Sequence, residues 1–299
     1  MRFSLTTLYG SDFEGGHASR DGNAPDGRPI DVPLYRHEVS LDYARIELAL
    51  QYTLAENWDL TARFPWEQKA QQAGIAFLED STADERAAMQ RNIDIHHRTV
   101  TLRGIGDLML LGKRRFPGMW REGDALSLSG GLSIPTGRTV ENPYVLGDRG
   151  EQHLHIQFGT GTFDPLLEAS YTAPVRGRFS AGAYVGGRAP LYENRHGFRA
   201  APDVTVAAHG ALRATERLQL RLEAAAYTQG YAYWDGARDE NSGLMATSIT
   251  AGATLQLRGY SVSADVRYPL SQRTLSEGDA FTQGPTVVVS VGGILRGDR

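Results

Sequence analysis

Apolar and polar side chains alternate one by one along residues 100–136, and this period of two is the feature that most limits what the chain can fold into. Val100, Leu102, Leu108, Leu110 and Phe116 hold even positions, against Thr101, Arg103, Asp107, Lys113 and Arg115 at odd ones. After a short turn, Leu126, Leu128, Leu132 and Ile134 alternate with Ser127, Ser129, Gly131 and Ser133. Successive side chains of a strand point to opposite faces, so each strand has one apolar and one polar face. A soluble sheet can carry the same pattern. The cases separate on whether the pattern recurs around a ring and on how its connections are distributed.

It recurs along the whole chain. Strands are expected near residues 2–10, 37–54, 58–67, 100–116, 125–134, 160–173, 179–188, 204–213, 218–224, 245–257, 260–268 and 287–295, twelve in all. Long connections (11–36, 69–99, 137–158, 190–202, 230–243, 271–285) alternate strictly with short ones, six against five. Antiparallel strands joined this way place every long loop at one end and both termini at the other. A β-sandwich has no reason to segregate its loops so completely, whereas outer-membrane barrels combine an even strand number, short periplasmic turns and long external loops. The expected fold is therefore all-β: a transmembrane antiparallel β-barrel of twelve strands, with residues 1–299 forming a single barrel domain. Closure follows from the solvent, because an open edge would leave backbone groups unpaired in hydrocarbon.

Composition agrees. With 41% hydrophobic residues and a mean hydropathy of -0.36, no run approaches the ~20 apolar residues of a transmembrane helix. A barrel stays open, because only alternate strand residues must face lipid. The net charge of -4 gives no footprint for nucleic acid, and the absence of cysteine removes disulfide and thiol chemistry. The opening MRFSLTTLYG lacks the charged and apolar regions of a signal peptide, so an exported protein is expected to have lost its signal, placing it in the bacterial outer membrane. The chain ends ILRGDR, without the terminal aromatic usual in bacterial barrels.

Four local features refine this picture. In STADERAAMQRNI, Glu85 follows Thr82 by three residues, which predicts a capping box and a short surface helix. Val39, Leu41 and Tyr43 have parity opposite to Ile46, Leu48, Leu50, Tyr52 and Leu54, implying a bulge near Ala44 or a segment above the membrane. Tyr52, Trp58, Phe64, Trp66, Phe116, Trp120, Phe179, Tyr260 and Tyr268 fall near strand ends, where interfacial girdles belong. Arg114 lies on the apolar face beside a short turn, within snorkelling reach of headgroups.

GIGDLMLLGKRRF, GLSIPTGRT and FGTGTFDPLLEASYTA resemble motifs of the outer-membrane transporter family named after a component of phenol meta-degradation gene clusters. Turns such as LAENWDL are similar to that family as well, and the likeness spans most of residues 41–295. It implies passage of small organic molecules, aromatic or hydrophobic ones among them.

The polar faces collect charges of both signs: Arg45, Glu47, Arg63, Glu67, Arg103, Asp107, Lys113, Asp164, Glu168, Arg188, Arg213, Arg221, Glu223, Asp265 and Arg267. They are expected to line the lumen, where acid–base pairs brace the wall or opposed charges set up a transverse field that selects solutes. Twelve strands leave a narrow bore. His96-His97 and His153-x-His155 lie at loop bases on one side of the barrel and are weak metal candidates; no resident cofactor is expected. His209 has Ser and Asp on neighbouring strands, yet no nucleophile elbow or triad motif appears, so an enzyme is not expected. GIGDL lacks the third glycine and the helix of a dinucleotide fingerprint. The expected partners are the lipid bilayer and a small solute. The alternatives are a barrel that docks a periplasmic or surface protein, one that takes up metal through loop histidines, and an outer-membrane hydrolase.

Overall fold

The computed structural model describes residues 1–275 and 282–295. Its elements run β1 (Arg2–Gly15), β2 (Ala18–Asn23), β3 (Pro29–Ala55), β4 (Trp58–Phe77), α1 (Ala83–His96), β5 (Val100–Ile105), β6 (Leu108–Pro117), β7 (Ala125–Ile134) and α2 (Pro143–Asp148). They continue with β8 (Asp164–Arg176), β9 (Phe179–Arg188), β10 (Phe198–Arg199), β11 (Asp203–Arg213), β12 (Leu218–Gln229), β13 (Tyr233–Trp234), β14 (Ala237–Arg238), β15 (Leu244–Leu257), β16 (Tyr260–Thr274) and β17 (Thr286–Ile294). Each main strand pairs antiparallel with its neighbour, and β1 pairs with both β3 and β17. With β5 and β6 sharing one position beside β4, this closes a twelve-stranded barrel.

The usual burial rule is inverted around the wall. Leu5, Leu48, Leu60, Leu110, Leu128, Leu132, Val185, Val206, Leu222, Val266 and Val289 are all exposed, and all sit on the outward parity of their strands. On β3 the outward run Ile46, Leu48, Leu50, Tyr52 and Leu54 gives way upward to Asp42, Ser40 and Glu38. The apolar belt is thus roughly ten residues deep, or about 25 Å at a strand tilt near 40°, the depth of a hydrocarbon layer. Tyr52, Trp58, Phe179 and Tyr260 are exposed beside the short turns, and the Arg114 guanidinium stacks 5.1 Å from the Trp58 ring and 4.8 Å from the Phe116 ring. Arg114 is therefore held by aromatic faces at the interface.

The β3–β4 register is unbroken from Tyr35–Phe77 to Thr53–Asp59, so no bulge lies at Ala44. Val39, Leu41 and Tyr43 belong instead to a stretch standing above the belt, where the outer face meets water and needs no apolar period. The bulge on this side lies in β1, between Gly10 and Phe13.

The same reasoning corrects the loops. Residues 11–36 are largely strand: β1 continues to Gly15, β2 pairs with β3, and β3 begins at Pro29. Residues 69–99 open with the upper part of β4 and hold α1, residues 137–158 hold α2, and residues 190–202 and 230–243 supply the small sheet β10-β13-β14. In residues 271–285, β16 continues to Thr274; the part at 276–281 lies outside the described residues, as does the 296–299 end of the C-terminus.

The hydrophobic core sits in this outer cap. The Thr82–Glu85 capping box starts α1, with Thr82 N–H donating to Glu85 Oε2 at 2.7 Å. Ala88, Met89 and Ile93 of the helix then pack on Val32 and Tyr35 of β3, so the helix is seated in the cap and not only on its surface. Met89 is fully buried, and Met89→Ala is expected to cost the cap about 2–5 kcal/mol. Limited proteolysis should then cut within α1 while the barrel keeps its heat-modifiable gel band.

Candidate functional site

Inside the wall, two cavities stack along the bore. The one toward the short turns is about 850 Å3 and is lined by Glu47, Gln51, Thr61, Arg63, Lys113, Ser127, Ser129, Ser170 and Tyr260, among others. The one toward the cap is about 540 Å3 and is lined by Arg45, Glu67, Lys69, Asp107, Ser133, Arg188, Asp203 and Thr205, among others. Glu168 and Tyr184 line both, which puts the constriction at their level. Ser127, Ser129 and Ser133 give β7 small side chains on the cavity walls, and at Gly131 between them an added Cβ would sit 1.9 Å from the Leu110 carbonyl oxygen, so β6 and β7 approach closely there.

The inward charges are bonded in ladders. Arg63 Nη1 and Nη2 donate to the two Glu168 oxygens at 2.7 and 2.9 Å. Arg45 bridges Glu47 at 2.5 Å and Glu67 at 3.2 Å, and Lys69 reaches Glu67 at 3.1 Å. Arg188 pairs with Asp203 at 3.2 Å, while Arg221 bonds Asp265 at 2.8 Å and approaches Glu223 at 3.7 Å. Lys113, Arg213 and Arg267 share the inward parity.

Two predicted lining residues, Arg103 and Asp164, lie outside both cavities, and a third, Asp107, lines the upper one with its carboxylate already bonded. Arg103 stands on the outer face, opposite Gln68, to whose Oε1 it donates at 2.7 Å. The cause is a bulge: Trp66 pairs with Ile105 and Arg63 with Met109, so Phe64 and Pro65 face residues 106–108, and parity flips at that point. Asp164 is fully buried, its Oδ1 accepting from Thr162 Oγ1 at 2.6 Å. Asp107 is a latch. Its Oδ1 accepts from Gly137 N–H at 2.9 Å, and its Oδ2 accepts from Thr160 N–H at 2.7 Å and Thr160 Oγ1 at 3.1 Å. The 157–160 segment so held lines the upper cavity, with Lys69 donating to the Gln157 carbonyl at 2.7 Å and lying 4.9 Å over the Phe158 ring.

At the cap, above the belt, six histidines gather. His96 and His153 are 3.0 Å apart and close a bond with each other, while His153 Nδ1 donates to the Glu151 carbonyl at 2.9 Å. His97 turns away from them toward His17 and His37, and the rings of His97 and His155 stack at 6.4 Å. Burial, reinforced by the neighbouring imidazoles, pushes His37 and His97 down to about 3 and His96 and His155 down to about 4. All four are therefore neutral at ordinary pH. His17 and His37 carry no sequence signal, since they come from separate segments with no ligand spacing between them.

A closed barrel with an apolar outer belt, an aromatic girdle and a charged bore defines a membrane-spanning β-barrel of the outer-membrane type. No family model and no curated protein matches the sequence. Among solved structures, an outer-membrane channel from Pseudomonas putida F1 superposes with a TM-score of 0.60 at 11% identity, over 98% of this chain and 95% of that one. That likeness extends through the whole ring of strands and shows the same barrel fold. The NanC porin (TM-score 0.46, 7% identity, 95% of this chain and 100% of that one) and a Pseudomonas aeruginosa FadL homologue (0.41, 10%, 97% and 89%) are looser likenesses.

Proposed function

We propose that this barrel is a channel of the bacterial outer membrane that carries small organic solutes, and that it does no chemistry on them. The observation carrying the reading is the pair of stacked lumen cavities that share Glu168 and Tyr184, a polar path narrowed at one level. Each has a volume within the roughly 300–1,000 Å3 typical of small-molecule sites. The resemblance of residues 104–173 to the phenol meta-degradation transporter family supports organic, aromatic or hydrophobic solutes as cargo. Inward serines, threonines and tyrosines offer hydrogen bonds to a hydroxyl or carboxylate on such a solute, and the ion-paired walls keep the net field low.

Planar-bilayer recordings and liposome swelling test it. Purified barrel is expected to give discrete conductance steps and to pass monocyclic aromatic acids faster than disaccharides. A barrel that folds in detergent but shows neither conductance nor swelling would overturn the reading and leave a sealed docking barrel in its place.

A further inference from the structure

We infer that the outer cap holds a divalent transition-metal ion of the zinc class on His17, His37 and His97. The inference stands independently of what passes through the bore.

One ring nitrogen from each of the three histidines lies within 4.8 Å of the other two. His17 Nε2 and His97 Nε2 are 3.4 Å apart. Two imidazole nitrogens on a tetrahedral ion with Zn–N bonds of about 2.0–2.1 Å are separated by roughly 3.3–3.4 Å. The first edge of such a site is therefore already set, and the third nitrogen has to draw in by at most roughly 1.5 Å to complete the face.

Hydrogen bonds fix which nitrogen His37 and His17 present. Tyr35 has a single hydroxyl proton, and it goes to acceptors only, the Asp21 carbonyl at 2.7 Å or Asn92 Oδ1 at 3.2 Å. His37 Nε2, 2.8 Å from that hydroxyl, must then be the protonated nitrogen and donate to it. His37 Nδ1 keeps its lone pair, and it is buried with no hydrogen-bond partner among the described residues. A hydroxyl holding the far nitrogen of a ligating ring in this way fixes its tautomer and orientation. His17 Nδ1 faces the Ala18 carbonyl at 3.4 Å, which leaves its Nε2 for the ion.

The backbone brings the three together deliberately. His37 N–H donates to the His17 carbonyl at 2.9 Å, and Gly16 beside it has φ +142°, where an added Cβ would meet the His37 carbonyl oxygen at 1.9 Å. Only glycine permits that approach. His97 caps α1, its N–H donating to the Ile93 carbonyl at 2.7 Å. His96 and His153 are spent on each other and stay outside the site. Neutral imidazoles favour zinc, nickel, copper or cobalt over magnesium or calcium, and three of them leave a fourth position for water or an incoming ligand. Because the ligands come from the β1–β2 connection, β3 and the end of α1, the bound ion would clasp the helix to the strands.

The test uses full-length barrel produced without a histidine tag. Titration with Zn2+ against a chromophoric chelator is expected to show one tight site, and Co2+ in its place should give the intense visible bands of tetrahedral coordination. His17→Ala, an exposed position, should fold normally and lower zinc affinity about tenfold or more. Tyr35→Phe keeps the ring packing but frees the His37 tautomer, and should cost roughly 10–100-fold. His196→Ala, on another loop, should bind as the parent does. Wild-type zinc affinity in His17→Ala, or a cobalt spectrum of octahedral type in the parent, would overturn the assignment.

Discussion

Glu168→Gln is expected to make the channel anion-selective. Arg63 and Glu168 stand on β4 and β8, with β6 and β7 between them, so their bidentate bond runs as a chord across the bore at its constriction. The amide keeps the shape and one acceptor but removes the negative charge, leaving a fixed guanidinium at the narrowest level. Reversal potentials under a salt gradient should move toward the anion value. The shift should grow as salt is diluted, because the Debye length lengthens from about 10 Å at 0.1 M to about 30 Å at 0.01 M. The two side chains keep 29% and 18% of their accessible surface, so the stability loss should stay near 1–3 kcal/mol, below that of a fully buried pair. It would be read from the urea dependence of heat-modifiability. The double variant Arg63→Gln with Glu168→Gln restores neutrality and should return the reversal potential toward the parent, with a larger conductance because the chord is gone. Unchanged ion preference in Glu168→Gln would show that this level does not set the field.

The barrel was legible because lipid imposes a rule on sequence that water does not. Each strand crossing hydrocarbon must show apolar residues at every second position, and Leu126, Leu128, Leu132 and Ile134 could be assigned to a face without knowing any neighbour. The segregation of long from short connections then follows from a closed antiparallel ring. Above the belt that rule lapses. The stretch that becomes β2 and the start of β3 has water on its outer face, so its pairing leaves no periodic trace and it reads as loop. The capping box of α1 survived this loss because it is a local hydrogen-bond arrangement, made by Thr82 and Glu85 alone.

The site was harder to read for two distinct reasons. Parity assigns a face only while the register holds, and the bulge at residues 106–108 moves Arg103 from the bore to the outer rim beside Gln68. Pro65, which has no N–H, lies opposite that bulge, and Gly106 N–H donates to its carbonyl at 2.9 Å. Those two residue types were the available signal. The second reason is distance along the chain. Arg63 and Glu168 are 105 residues apart, and His17 and His97 are 80 apart. No spacing rule joins such pairs, and only the fold brings them together.

Asp107→Ala should open the mouth of the channel. The Asp107 carboxylate accepts from both ends of the 137–160 excursion, Gly137 N–H at 2.9 Å and Thr160 N–H at 2.7 Å, with Thr160 Oγ1 at 3.1 Å. It is 7% exposed, so those backbone donors would lose a charged acceptor in a place where water replaces it poorly. Hydrogen bonds to charged groups contribute about 1.5–3 kcal/mol each, and because the three share one carboxylate the local loss should come to about 2–4 kcal/mol. The strand ladder is untouched, so the barrel itself should fold and show its usual gel mobility. What changes is the 157–160 segment, which loses its charged anchor and keeps only neutral or side-chain ties: Lys69 to the Gln157 carbonyl at 2.7 Å, Asn194 Nδ2 to the Thr160 carbonyl at 2.9 Å, and the Phe158 N–H to the Arg138 carbonyl at 3.1 Å. With that anchor gone it should sit more loosely in the upper cavity, giving higher and noisier conductance and admitting larger sugars in the swelling assay. Asp107→Asn retains one acceptor but turns an amide N–H toward a donor, so its effect should fall between the parent and Asp107→Ala. Hydrogen exchange at the Gly137 and Thr160 amides separates the two possible failures. Fast exchange with parental conductance would mean that the segment does not limit the bore, and slow exchange would mean that the latch is not what holds it.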